Sequence, residues 1–105
     1  MRIIDINFAD FGGPIYVGRT KGGGVRKKYK LNELDSSDVK VNVFIPDNTV
    51  SINSSFFLAM FGDSIRAAGG REEFLSKFTF TSPDHLWESI ERDISRALQE
   101  REMLL

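Results

Sequence analysis

The chain has 105 residues, no cysteine and a formal net charge of −1. Its length supports one hydrophobic core and not two, and without cysteine there can be no disulfide framework, zinc–cysteine site or thiol catalysis. Hydrophobic residues at 41% and charged residues at 28% exclude wholesale disorder, while the near-neutral charge gives no global pull toward nucleic acid or anionic membrane.

From the N-terminus, Ile4, Ile6 and Phe8 alternate with Asp5 and Asn7, the period-two pattern of a half-buried strand. Phe11-Gly12-Gly13-Pro14 is turn chemistry, and Ile15-Tyr16-Val17 reads as a returning strand, so an N-terminal hairpin is predicted. Residues 18–30 hold six basic residues, four glycines and no acid. A short helix is predicted over about Val25–Leu34. Gly22-Gly23-Gly24 serve as its flexible lead-in, since consecutive glycines disfavour a longer helix.

Asp35-Ser36-Ser37-Asp38 is a polar loop. Lys40 to Pro46 then reads as a strand with Val41, Val43 and Ile45 on one face and Phe44 on the other, which predicts partial cover on both faces. After a turn at Pro46-Asp47-Asn48, Val50-Ser51-Ile52 leads to a serine pair. From Ser55 the apolar residues Phe57, Met60, Phe61, Ile65 and Ala68 recur at helical spacing up to Gly69-Gly70, where a left-handed cap is expected. Arg71–Ser76 add a turn of helix, and Phe78 and Phe80 mark a short strand. Ser82-Pro83-Asp84 has the form of a helix start, with serine as N-cap. The last helix turns Leu86, Ile90, Ile94, Ala97 and Leu98 inward. The predicted fold is α/β, with a mixed central sheet of four or five strands packed by helices and right-handed crossovers late in the chain.

The stretch of greatest functional interest is Asn53-Ser54-Ser55, where a strand end runs into an apolar helix. Free backbone N–H groups and the positive end of the helix dipole stabilise an anion at such a place. A phosphate carried by a serine there makes a charge-based switch. The simpler reading is that Ser54 or Ser55 is the N-cap.

The basic segment offers Arg19, Lys21, Arg26, Lys27, Lys28 and Lys30 for phosphate contacts through electrostatics alone. It fails the P-loop pattern, because Gly24-Val25 stands where Lys-Ser/Thr is required, and it fails the dinucleotide fingerprint at Lys27. A mobile solvated loop is the ordinary reading of such a charge run, and Tyr29 alone is too little for a base-stacking platform. His85 is the only histidine. It has no orienting acid and nucleophile nearby in sequence, so no catalytic group is assigned. Trp87 beside Leu86 is read as the edge of the core, with a contact surface as the alternative. No metal or cofactor site is expected. No apolar run approaches the roughly 20 residues of a membrane span, and charges interrupt the first residues where a signal peptide needs an apolar run. A cytoplasmic protein without membrane association is therefore expected.

Strand Val41–Ile45, the Val50-Ser51-Ile52 approach, Ser54-Ser55-Phe56 and the helix to Ile65 resemble the bacterial STAS-like family of unknown function. That family is related to the sulfate-transporter and anti-sigma-factor-antagonist domains. The resemblance covers roughly residues 15–80 and includes the glycine- and base-containing segment from Gly18-Arg19 to Arg26, Ser55-Phe56 and the Phe61-Gly62 pair. It implies one STAS-like domain over residues 1–105. It implies a non-catalytic regulatory module whose partner, a histidine-kinase-like ATPase or another regulatory protein, reads the surface around Asn53, Ser54 and Ser55. Anti-sigma-factor antagonists carry Asp-Ser-Ser-Gly at this place, with the first serine phosphorylated. The resemblance therefore makes Ser54 the phosphoacceptor, with Asn53 in place of the acid and Phe56 in place of the glycine. The alternative function is nucleic-acid or nucleotide-phosphate binding through Arg19, Lys21, Arg26, Lys27 and Lys28.

Overall fold

The computed structural model describes residues 2–103 and has the expected α/β fold, with strands in parallel sheets packed by helices. Strand β1 (Ile3–Asn7), β3 (Lys40–Phe44) and β5 (Phe78–Thr81) form one sheet in the order β1-β3-β5. Strands β2 (Ile15–Tyr16) and β4 (Ser51–Ile52) form a second, two-stranded sheet. The helices are α1 (Arg19–Lys28), α2 (Leu31–Asp35), α3 (Ser54–Ala68), α4 (Arg71–Lys77) and α5 (Asp84–Met103).

Where a mixed sheet and an N-terminal hairpin were predicted, every strand pairing among the described residues is parallel. β1 does not pair with β2; Ile4 lies opposite Val41 and Val41 opposite Phe78. The reason lies between the two strands. Asn7 caps a 3₁₀ turn over Phe8–Phe11, its side chain accepting from Ala9 N–H at 2.9 Å. Phe8 and Tyr16 then both turn into the core, their rings 5.1 Å apart and edge to face, with the Tyr16 hydroxyl donating to the Phe8 carbonyl at 2.8 Å. Burying those two rings carries the chain into the second sheet instead of back along β1.

The larger sheet is covered on one face only. Val41, Val43 and Ile45 are buried as predicted, and Phe57 and Phe61 of α3 pack on the same side against Phe78 and Phe80, with ring centroids 5.8 Å apart for Phe61–Phe78 and 5.3 Å for Phe61–Phe80. The opposite face is open. Ile3, Asp5, Asn42, Phe44, Thr79 and Thr81 are all exposed, Phe44 by 44%, so its expected cover is absent. Polar residues at most of these positions make this face compatible with water although the strands are parallel.

The glycine-rich segment is the largest departure from expectation. It is the middle of helix α1, and no loop. Gly22 is buried against α3, where an added Cβ would overlap the carbonyl oxygen of Phe56 and lie 3.1 Å from its Cα. The close approach of the two helices needs glycine there. The burial it permits, of Val25 and Phe56 among others, outweighs the low helix propensity of the segment. The helix predicted over Val25–Leu34 is broken at Lys30, which is left-handed (φ 55°) and directs Leu31 into the core.

Gly23 and Gly24 have open space where a Cβ would stand. Gly22→Ala is therefore expected to destabilise the fold by about 1–3 kcal/mol through overpacking. Gly23→Ala and Gly24→Ala should each stabilise it by roughly 0.5–1 kcal/mol. Urea denaturation midpoints of the three variants check this; a stabilised Gly22→Ala would show that α1 and α3 are not in close contact.

Candidate functional site

Strand β4 delivers the chain to the start of α3 with Ile52 buried and Asn53 in extended conformation (φ −68°, ψ 146°). Asn53 is the N-cap. Its Oδ1 accepts from the backbone N–H of Ser55 at 2.8 Å and from the Ser55 hydroxyl at 2.6 Å. The expectation that Ser54 or Ser55 caps the helix is thus corrected. Both serines already lie inside the helix, and asparagine caps as well as serine does. Ser82, the predicted cap of α5, likewise does not cap: its hydroxyl donates to the Pro83 carbonyl at 3.2 Å.

The two serines have different roles. The Ser55 hydroxyl is held by the cap. Ser54 Oγ points the other way and donates to Asp93 Oδ1 of α5 at 2.7 Å. Asp93 is 1% exposed, and burial pushes its carboxyl above the usual carboxylate range, against the opposing pull of the Ser54 hydrogen bond and the charges of Arg92 and Arg96. Ser54 itself is half-buried, at the edge of the protein surface. The site is a surface-edge hydroxyl at the positive end of a 15-residue helix, backed by a carboxyl inside the core.

Sequence reasoning missed Asp93. The signal was present in the helical phase, since Leu86, Ile90, Asp93 and Ala97 follow one another at spacings of four, three and four on the inward arc of α5 and all are buried.

Beside the site lies an apolar rim. Asn53 N–H donates to the Tyr16 carbonyl at 2.8 Å, which sets Val17 next to the start of α3, and Val50 N–H donates to the Pro14 carbonyl at 2.8 Å, beside Ile15. Ile15, Val17 and Val50 are each more than half exposed.

The basic residues do not act as one group. Arg26 is 8% exposed and points inward from α1. Its Nη1 donates to the Met60 carbonyl at 2.8 Å and to Ser64 Oγ at 2.9 Å. Its Nε and Nη2 donate to Asn32 Oδ1, and Nη2 also meets Asp35 Oδ2 at 2.6 Å. Such a guanidinium is committed to joining α1, α2 and α3, which removes Arg26 from the candidate phosphate ligands. Arg19, Lys21, Lys27 and Lys28 remain exposed on the outer arc of α1. His85 is exposed, with Nε2 2.9 Å from the Thr49 carbonyl, and Trp87 is half-buried at the edge of the Phe80 ring. Among the described residues no group of three His, Cys, Asp or Glu side chains is placed to hold a metal, and no helix is long and apolar enough to cross a membrane.

Fold and site together define an α/β protein in which a serine at the head of the central helix is bonded to a buried acid of the last one. Comparison with known proteins finds no match, whether among family models, curated proteins or solved structures.

The raised carboxyl of Asp93 has a consequence for stability. Its folded-state value lies above the unfolded one, so the folded state binds the proton more tightly and is favoured at acid pH. As pH rises from about 4, the ordinary carboxylate value, through the higher folded value, that contribution is lost and stays lost above it. Asp93→Asn keeps an acceptor for Ser54 and removes the charge. The stability difference between Asp93→Asn and the wild type should therefore grow in favour of the variant over that window, as followed by chemical denaturation at stepped pH. A pH-independent difference would place Asp93 in contact with water.

Proposed function

We propose that this chain is a single STAS-like domain that works as a non-catalytic regulatory module in the bacterial cytoplasm, with Ser54 as a phosphorylation switch and Asn53, Ser54 and Ser55 at the centre of its partner-binding surface. The observation that carries this reading is the Ser54–Asp93 hydrogen bond, with Ser54 at the surface edge and Asp93 buried behind it. A hydroxyl donates to that carboxyl; a phosphoserine cannot, and brings up to two negative charges to the same spot. One modification thus changes both the charge at the head of α3 and the tie between α3 and α5. The exposed Ile15, Val17 and Val50 support a protein partner, since they give the polar serine surface an apolar margin of the kind interface cores use. By its resemblance, the partner is a histidine-kinase-like ATPase or another regulatory protein.

Because Ser54 faces a carboxyl instead of capping the helix, Ser54→Asp is expected to destabilise the fold more than Ser54→Ala. Asp93→Asn in the same chain should restore most of the loss, a coupling that a double-mutant cycle of melting temperatures measures. The switch itself is tested by phosphopeptide mapping of the protein purified from its native cells through the growth cycle. Phosphate on Ser54 and not on Ser55 is the expected result. Absence of phosphate on Ser54 in every phase, together with identical partner binding by wild type and Ser54→Asp/Asp93→Asn, would reduce the site to a structural tie.

A further inference from the structure

The outer arc of α1 carries charges that the fold itself does not use. Arg19, Lys21, Lys27 and Lys28 are exposed along the helix and Lys30 follows in the left-handed turn after it. Among the described residues none of the five closes an ion pair or a hydrogen bond, and Lys28 Nζ lies over the Tyr29 ring at 5.8 Å. Arg2, Arg92 and Arg96 likewise close none among the described residues, but they are not clustered on one helix and its end as these five are. Arg71 closes an ion pair with Glu91 at 2.6 Å, and Lys40 and Lys77 donate to backbone carbonyls.

Two further features run against the helix's own stability. Arg19 and Lys21 lie in the first turn, at the positive end of the dipole, and no acid stands there to offset them. Gly23 and Gly24 occupy the same outward side, where nothing in the fold would obstruct a side chain. The result is a low, cationic helix face without projecting apolar groups. At its C-terminal end opens a cleft of about 240 Å³ lined by Gly23, Arg26, Lys27, Lys30, Asn32 and Glu33.

We infer that this face of α1 docks along the phosphate backbone of a nucleic-acid duplex. An anion there neutralises the unpaired charges, complements the helix dipole and can approach the backbone at Gly23 and Gly24. The chemistry of the face selects among anionic partners. Its one large apolar side chain, Val25, is buried, so nothing is available to insert into a bilayer. Tyr29 is half-buried with its ring 5.9 Å from that of Phe11, which leaves no stacking platform for single strands. The face also lacks the aromatic or aliphatic anchors that protein hot spots use. Ten helical residues span about 15 Å, the length of about four phosphates on one strand. Binding is accordingly independent of base sequence. The inference stands apart from the Ser54 reading, because it uses another element.

Fluorescence anisotropy of a labelled 20-base-pair DNA, titrated with the purified chain in 50 and 200 mM potassium chloride, tests it. With about four phosphates neutralised, affinity should fall on the order of a hundredfold between the two salts. The variant Arg19→Gln/Lys21→Gln/Lys27→Gln/Lys28→Gln, confirmed folded by its melting curve, should lose at least tenfold at 50 mM. Gly24→Leu separates docking from fold: it should raise the melting temperature while weakening DNA binding several-fold. The inference is overturned by no saturable binding at 50 mM, by binding that the four glutamines or the leucine leave unchanged, or by tighter binding to single strands or to phosphatidylserine vesicles than to duplex.

Discussion

The close approach of α1 to α3 is the constraint on which the rest of the structure depends. With Gly22 seated against Phe56, the next turn of α1 places Arg26 beside the next turns of α3, at Met60 and Ser64. Arg26 in turn reaches forward to Asn32 and Asp35, so α2 is set by the same contact. A buried guanidinium is favourable only when its donors are satisfied, and the partners here come from three elements. A side chain at Gly22 would push the two helices apart and leave both Arg26 and Asp35 inside the protein with weakened partners, so a steric requirement at one residue protects an electrostatic one a turn away.

Helix α3 is therefore held on several sides. Phe57 and Phe61 fix it to the larger sheet, Phe56 meets Phe8 and Tyr16 at 6.0 and 5.6 Å, and Ser54 ties its start to α5. A hydroxyl in that position is coupled to more of the molecule than its place at the surface edge suggests. Loss of the Ser54 bond would leave Asp93 inside the core with only Arg92 and Arg96, on its own helix, to favour its charge. That coupling lets a change of charge at the head of α3 reach the buried carboxyl of α5.

Much of this was legible from residue order. The alternation in Val41, Val43 and Ile45 and the spacing of Phe57, Phe61 and Ile65 fixed which faces are buried, because burial follows periodicity. The hairpin was misread because period two does not distinguish a strand that pairs with its neighbour from one that pairs across a helix. The glycine triplet was misread for a different reason. Propensity counts what a helix loses at Gly22 and cannot count the neighbour that it gains, since Phe56 is distant in sequence. Arg26 looked like Lys27 and Lys28 until the phase of α1 separated the inward residue from the outward ones. Asn53, Ser54 and Ser55 are all good caps, and only the backbone conformation at Asn53 decides between them.

The parallel ladders bear on how the chain reaches this state. Partners in the larger sheet, Ile4 with Val41 and Val41 with Phe78, are equally spaced at 37 residues. No strand can begin the sheet with its sequence neighbour, so each ladder waits for a long loop to close, which slows the search compared with a hairpin-built sheet of the same size. Helix α3, by contrast, can form locally before either ladder is complete, whereas α1, with three glycines in its middle, depends on α3 to pack against. During synthesis β3 is the strand most at risk. Until Phe78 has left the ribosome its Val41–Phe44 edge is unpaired and apolar except at Asn42, a template for association between nascent chains.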